Sequence, residues 1–176
     1  MFGSNSLRGC FLGALVSLLP LPVLAGEPAP MTESIKINAT PIAVFNAIRK
    51  YRTSPIHHRH CVRSTRNRAI IDEHVEAVPI YGTVHCLWQE QEHPYSRIDY
   101  CLIDSDKFKS GSGSYIITPP TGDGPVTLTL ESRLDSGSHL PFAKLLTAAN
   151  SRKDMQLRLE YIKRLAEQTK SRKSGR

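Results

Sequence analysis

The sequence predicts an α+β domain: an antiparallel sheet of about seven strands backed by one long C-terminal helix. Three observations carry this. Between Cys61 and Ser136, short alternating segments are cut at intervals by turn residues. A strand and a short amphipathic helix precede them. A single long run of helical periodicity, opening near Pro141, follows them.

The elements follow in order. "MTESIKINA" alternates Ile35 and Ile37 with polar neighbours, as a half-buried strand does. Thr40 is a natural N-cap and Pro41 suits the first helical position. Ile42, Phe45 and Ile48 then recur at helical spacing, with Ala43 and Ala47 as small fillers. The first half of "PIHHRHCVRSTRNR" reads as a short helix or loop. Six strands come next: "CVRSTRN", "AIIDEHVEAV", "GTVHCLWQEQ", "RIDYCLIDS", "GSYIIT" and "VTLTLESRL", separated by Pro, Gly, Asp and Ser clusters. "GSGS" at Gly111 to Ser114 reads as a turn. Alternation places Val84, Cys86 and Trp88 on the inner face, with Ile98, Tyr100 and Leu102, then Tyr115 and Ile117, then Val126, Leu128 and Leu130; Thr127, Thr129 and Glu131 point outward. Short hairpins make the sheet antiparallel. In the last helix Leu145, Ala148, Met155, Leu159, Ile162 and Ala166 form one stripe, with Arg152 completing it. Lys163, Arg164 and Lys170 suit the negative end of its dipole.

The domain organisation is read as a leader at 1–25, a linker at 26–32, one domain at 33–168 and a basic disordered tail at 169–176. In the leader Arg8 supplies a positive start, and Cys10 to Leu24 is apolar but short and broken by proline. Val23 and Ala25 stand at −3 and −1 of a cleavage site, which places the cut after Ala25 and the mature protein in the periplasm or outside the cell. Arg8 is the only charge lost, so 22 basic residues against 16 acidic leave +6 from the full chain's +7. That surplus favours anionic partners. Export argues against nucleic acid among them. The mature chain keeps Cys61, Cys86 and Cys101, an odd number, so disulfides are not its framework. Cys86 faces inward and Cys101 outward by alternation, which opposes a bridge unless a bulge reverses one of them.

The order strand, helix, six strands, long helix resembles the START-like helix-grip superfamily (SRPBCC), in its polyketide cyclase/dehydrase and coenzyme Q-binding branch. "INATPIAVFNAI" resembles the family's first strand and proline-started helix. "IDYCLIDSDKFKSGSGSYIITPP" resembles its strand, turn and Gly-aromatic-aliphatic-Pro pattern, here Gly113, Tyr115, Ile117 and Pro119. "VTLTLESRL" followed by "LPFAKLL" resembles its last strand and Leu-Pro helix start. Tyr115 stands where that family often has tryptophan, and "IHHRH" where an aromatic-rich segment is common. The resemblance implies a curved sheet wrapped round the long helix, with a cavity between them for a lipid-like or aromatic hydrophobic small molecule. A bent sheet cannot lie flat on a straight helix, and apolar pockets with few polar groups are the usual ligand sites.

The candidate ligand-binding residues are Trp88, Tyr100, Tyr115, Leu128 and Met155, with Arg152 as a contact for a polar head group. His57, His58, His60 and Cys61 look like metal ligands. In an extended segment, however, His58 and His60 point one way and His57 and Cys61 the other, so each face offers two ligands where zinc needs three or four. Their preferred reading is a solvated basic loop, and no metal or other cofactor is expected. The run Arg49 to Arg68 holds seven Arg or Lys and no acid. It is a solvated face or a contact for an anionic membrane surface. Parity puts Glu73 inward, where burial would raise its pKa and fit it for acid–base work. The preferred reading turns it outward by a bulge or pairs it with Arg66. The leading expectation is therefore an exported carrier or sensor. The alternatives are a cyclase or hydrolase using Glu73, and a partner-binding module without a cavity.

Overall fold

The computed structural model of the chain describes residues 30–76, 82–135, 137 and 141–174, with side chains of the last helix described from Asn150 to Gln168. The leader and its cut after Ala25 lie outside the described residues, as do the side chains of Leu145, Ala148 and Lys170. The elements are β1 (Met31–Ile37), α1 (Pro41–Tyr51), β2 (Arg59–Ser64), β3 (Arg68–Glu76), β4 (Thr83–His93), β5 (Arg97–Ser105), β6 (Ser110–Thr118), β7 (Val126–Asp135) and α2 (Pro141–Ser174).

The seven strands form one antiparallel sheet in the order β1-β7-β6-β5-β4-β3-β2. Successive hairpins place β2 to β7 side by side, and β1 closes onto β7. The strands that flank α1 in sequence therefore lie at opposite edges of the sheet. Thr40 Oγ1 accepts the Ala43 N–H at 3.2 Å and Pro41 opens the helix, while Arg49 and Lys50 stand in its last turn. The buried stripe of α1 is Val44, Phe45, Ala47, Ile48 and Tyr51. Ile42, expected on that stripe, is 52% exposed; Val44 and Tyr51 take the inner positions instead.

Two bulges bend the sheet. One extra residue, Val62, interrupts the β2–β3 register, and another, Ile103, the β4–β5 register. Both side chains are exposed, so the bulges also explain two large apolar residues facing solvent. The Ile103 bulge sets Cys86 opposite Ser105, while Cys101 lies opposite Gln89. Cys86 is buried, Cys101 exposed, and Cys61, Cys86 and Cys101 are free thiols.

The core divides in two. The larger part joins Ile37, α1, Ile98, Tyr115, Ile117, Val126, Leu128 and Leu130 to Met155, Leu159, Ile162 and Ala166 of α2. The smaller joins Ala69, Ile71, Val84, Cys86 and Trp88. Tyr100 packs against both. "GSGS" is not a turn: it lies inside β6. α2 continues to Ser174, so the backbone of 169–174 is helical where composition reads as a disordered tail. Lys170, Arg172 and Lys173 are good helix formers.

Candidate functional site

A hollow of about 840 Å³, its open mouth included, lies between the sheet and α2. Its apolar wall is an aromatic ladder across three strands. The Trp88 and Tyr100 rings meet edge-on, with centroids 5.5 Å apart, and Tyr100 and Tyr115 follow at 5.7 Å. Two glycines of β6 make the ladder possible. Tyr100 lies opposite Gly113 in the β5–β6 register. A Cβ on Gly113 would come closer than 3.0 Å to the Tyr100 ring and to the Glu131 carbonyl. One on Gly111 would press on the Trp88 ring at 2.9 Å. The rings therefore lie directly over bare backbone, and the Tyr100 hydroxyl donates to the Glu131 carbonyl at 3.0 Å. Val75, Phe108, Leu130, Leu134 and Met155 complete the apolar lining.

The other wall is ionic. Alternation along β4 carries the buried face past Val84, Cys86 and Trp88 to Glu90 and Glu92. On β3 the same parity buries Glu73, which is 1% exposed. Buried carboxylates demand partners. Arg59 Nη2 donates to Glu90 Oε1 at 2.9 Å, and its Nη1 lies 3.6 Å from Glu73 Oε2. Arg158 Nη1 lies 2.8 Å from Glu73 Oε1, and its Nε donates to Asp154. Arg52 bridges Glu90 and Glu92, both at 2.7 Å. The Arg59 guanidinium also stacks 4.4 Å over the Tyr51 ring.

Burial by itself pulls the Arg59 guanidinium down, but Glu73, the Tyr51 and Tyr115 rings and Glu90 outweigh it, and the net shift is upward. Arg158 behaves alike: Asp154 and Glu73 overcome burial and hold it well above the usual arginine range. Burial pushes the phenols of Tyr51, Tyr100 and Tyr115 upward, so all three stay protonated. The Cys86 thiol is pushed by burial to about 11, which makes it a poor nucleophile near neutrality. Burial, then Arg158, lowers the His57 imidazole. The arrangement thus offers an oily slot with guanidinium–carboxylate pairs along one side and neutral tyrosine hydroxyl groups in its lining.

Of the residues expected to bind a ligand, the structure brings Trp88, Tyr100, Tyr115 and Met155 together in the lining. Leu128 is fully buried in the larger core, outside the lining. Arg152 is exposed and also outside it. The helix arginine in the hollow is Arg158, three residues beyond Met155 where Arg152 is three before. Glu73 is neither turned outward nor paired with Arg66; its guanidinium partners are Arg59 and Arg158. The basic stretch is not wholly a solvated face, because Arg52 and Arg59 are buried against glutamates. Sequence reasoning missed Arg59, Glu90, Glu92 and Arg158. Continuing the β4 alternation two more rungs would have found both acids, and buried acids call for arginines.

No protein-family model matches the sequence, and no curated protein does. Solved structures match its shape. The START superfamily protein from Mycobacterium smegmatis superposes with a TM-score of 0.62 at 11% identity, over 80% of this chain and 98% of that one. The aromatase/cyclase Zhui from Streptomyces sp. R1128 does so at 0.59 and 12%, over 79% and 93%. The di-domain aromatase/cyclase StfQ of the steffimycin biosynthetic pathway gives 0.62 and 15%, over 85% of this chain and 53% of that one. With its curved seven-stranded sheet and terminal helix, the chain has the START-like helix-grip fold.

Proposed function

We propose that this protein is an exported binder of a small aromatic or lipid-like hydrophobic molecule, held in the hollow between the sheet and α2. The observation that carries the reading is the Trp88–Tyr100–Tyr115 ladder, laid over Gly111 and Gly113 and left facing open space. Burying apolar ligand surface there, at about 25 cal/mol per Å², would drive binding. Export rests on the apolar leader and on Ala25, and a mature N-terminus at Gly26 in intact-mass measurement tests it.

Trp88 is the single tryptophan of the chain. Its fluorescence therefore reports the hollow directly. Titration with 2-naphthol and with 1-anilinonaphthalene-8-sulfonate should quench it saturably, and native mass spectrometry of protein from its exporting host should show an apolar adduct. A bare mass together with unchanged Trp88 emission would sink the reading in favour of a module without a ligand.

A second reading, a cyclase-type enzyme, draws on Glu73, a buried carboxylate in the lining between two guanidinium groups. Turnover of an added aromatic polyketide that is unchanged in Glu73→Gln would remove it. The anionic-membrane reading rests on the exposed Arg63 and Arg66, since Arg52 and Arg59 are engaged internally. Loss of co-sedimentation with phosphatidylserine vesicles in the charge-reversed pair tests that.

A further inference from the structure

On the face of the sheet opposite the hollow, three side chains converge. His74 of β3 and His85 of β4 are direct cross-strand partners, and Asp72 lies two residues along β3 on the same face. Both imidazole Nε2 atoms aim at one oxygen: His85 lies 2.8 Å and His74 3.6 Å from Asp72 Oδ1. The two rings stand edge to face with centroids 5.1 Å apart.

We propose that Asp72, His74 and His85 form a binding site for one divalent transition-metal ion of the zinc, copper or nickel kind. One potential ligand atom from each side chain lies within 4.8 Å of the others. Ligands held at roughly 2.0–2.2 Å in a tetrahedral shell lie about 3.3–3.6 Å from one another, so small side-chain rotations bring the three into place. Two imidazoles and a carboxylate suit zinc, copper or nickel, whereas magnesium and calcium take oxygen ligands.

The scaffold is set in advance. All three residues stand on continuously paired rungs of β3 and β4, and the His85 N–H is anchored on Asp106 Oδ1 at 3.0 Å. That second carboxylate makes the spot locally acidic in a chain of net charge +7. The His74 and His85 side chains are 53% and 42% exposed, which leaves the outer side of the ion open to water. His60 stands directly opposite Asp72 in the β2–β3 register, a position from which a third imidazole could serve as fourth ligand. Of the histidine-rich stretch, His60, inside β2, thus bears on a metal through its strand register rather than through the spacing of the cluster.

Calorimetric titration of the full chain with Zn²⁺ in a non-chelating buffer tests the site. The expected result is one ion per chain. His74→Gln and His85→Gln should each weaken uptake roughly tenfold or more, as losses even in a metal's outer shell do. His93→Gln, which touches the separate His93–Asp99 pair, should leave it unchanged. Paramagnetic broadening by Cu²⁺ in NMR spectra of the unaltered chain locates the ion without any substitution, and should centre on the β3–β4 outer face. Three results would overturn the proposal: no saturable uptake at millimolar Zn²⁺, uptake unchanged in the double His74→Gln/His85→Gln variant, or broadening centred on His57 and His58.

Discussion

Arg158 of α2 and Glu73 of β3 meet across the wall of the hollow, Nη1 to Oε1 at 2.8 Å, and so tie the helix to the sheet through a buried ion pair. The Glu73 side chain is 1% exposed and that of Arg158 12%. Arg59 approaches the same carboxylate from β2. A single acid therefore compensates cations from two separate elements.

Removing that acid should be costly. Glu73→Ala leaves Arg59 and Arg158 short of a partner in a dry environment, and stability should fall by about 3–5 kcal/mol. Replacing Glu73 and Arg158 together by Leu and Met should cost less than the sum of the two matching single changes, because neither member of the pair is left buried without the other, while Arg59 keeps Glu90. Urea denaturation of the four members of the cycle measures the coupling. Additive losses would mean that the pair is not an energetic unit.

The glycines of β6 give a second test. Gly113→Ala would set a methyl group against the Glu131 backbone carbonyl and the Tyr100 ring. Backbone cannot yield as a flexible side chain can, so the loss should reach about 3 kcal/mol, at the upper end of overpacking. Gly111→Ala meets chiefly the Trp88 ring, at 2.9 Å, and the Leu134 side chain at 3.1 Å, so it should cost less. It should also shift Trp88 emission and weaken 2-naphthol binding. Unfolding curves and fluorescence spectra separate the two effects.

These two walls show why the fold was easier to read than the site. Strand alternation and turn residues reveal the seven strands and two helices found among the described residues, because period and punctuation are local properties. They also put Trp88, Tyr100 and Tyr115 on one face. The ionic wall depends on pairs far apart in sequence, such as Arg59 with Glu90 and Arg158 with Glu73. No local pattern tells a buried arginine from a solvated one, so "IHHRH" reads as surface although Arg59 is buried. Arg152 and Arg158 both lie one helical turn from Met155, and only the packing of α2 on the sheet chooses between them. "GSGS" carries turn chemistry, and two aromatic rings on β4 and β5 make it a strand.

Thiol reactivity should divide along burial. At pH 8 the exposed Cys101 should react quickly with a disulfide reagent, while Cys86, buried and with its thiol pushed up to about 11, should react only on unfolding. Peptide mapping after a short exposure assigns the label. Early modification of Cys86 would show that the smaller core opens readily.

His57 gives the fold a pH dependence whose sign follows from its surroundings. Burial, then Arg158, lowers its pKa, against the opposing pull of Asp154 at 3.8 Å and of Glu73. In the unfolded chain an imidazole titrates near 6.5, or about that. Above that pH it is neutral in both states and adds no pH dependence. As pH falls below it, the unfolded chain takes up a proton that the folded chain refuses, so stability declines until the folded pKa is passed and then levels off. His57→Gln should remove this part of the slope, which begins as pH falls below about 6.5, while leaving the carboxylate-driven losses at lower pH. Thermal unfolding of both proteins across that range, taken as a difference curve, checks it. A difference that grows in the opposite sense, with the unaltered protein gaining stability as pH falls, would mean that Asp154 outweighs Arg158 at this imidazole.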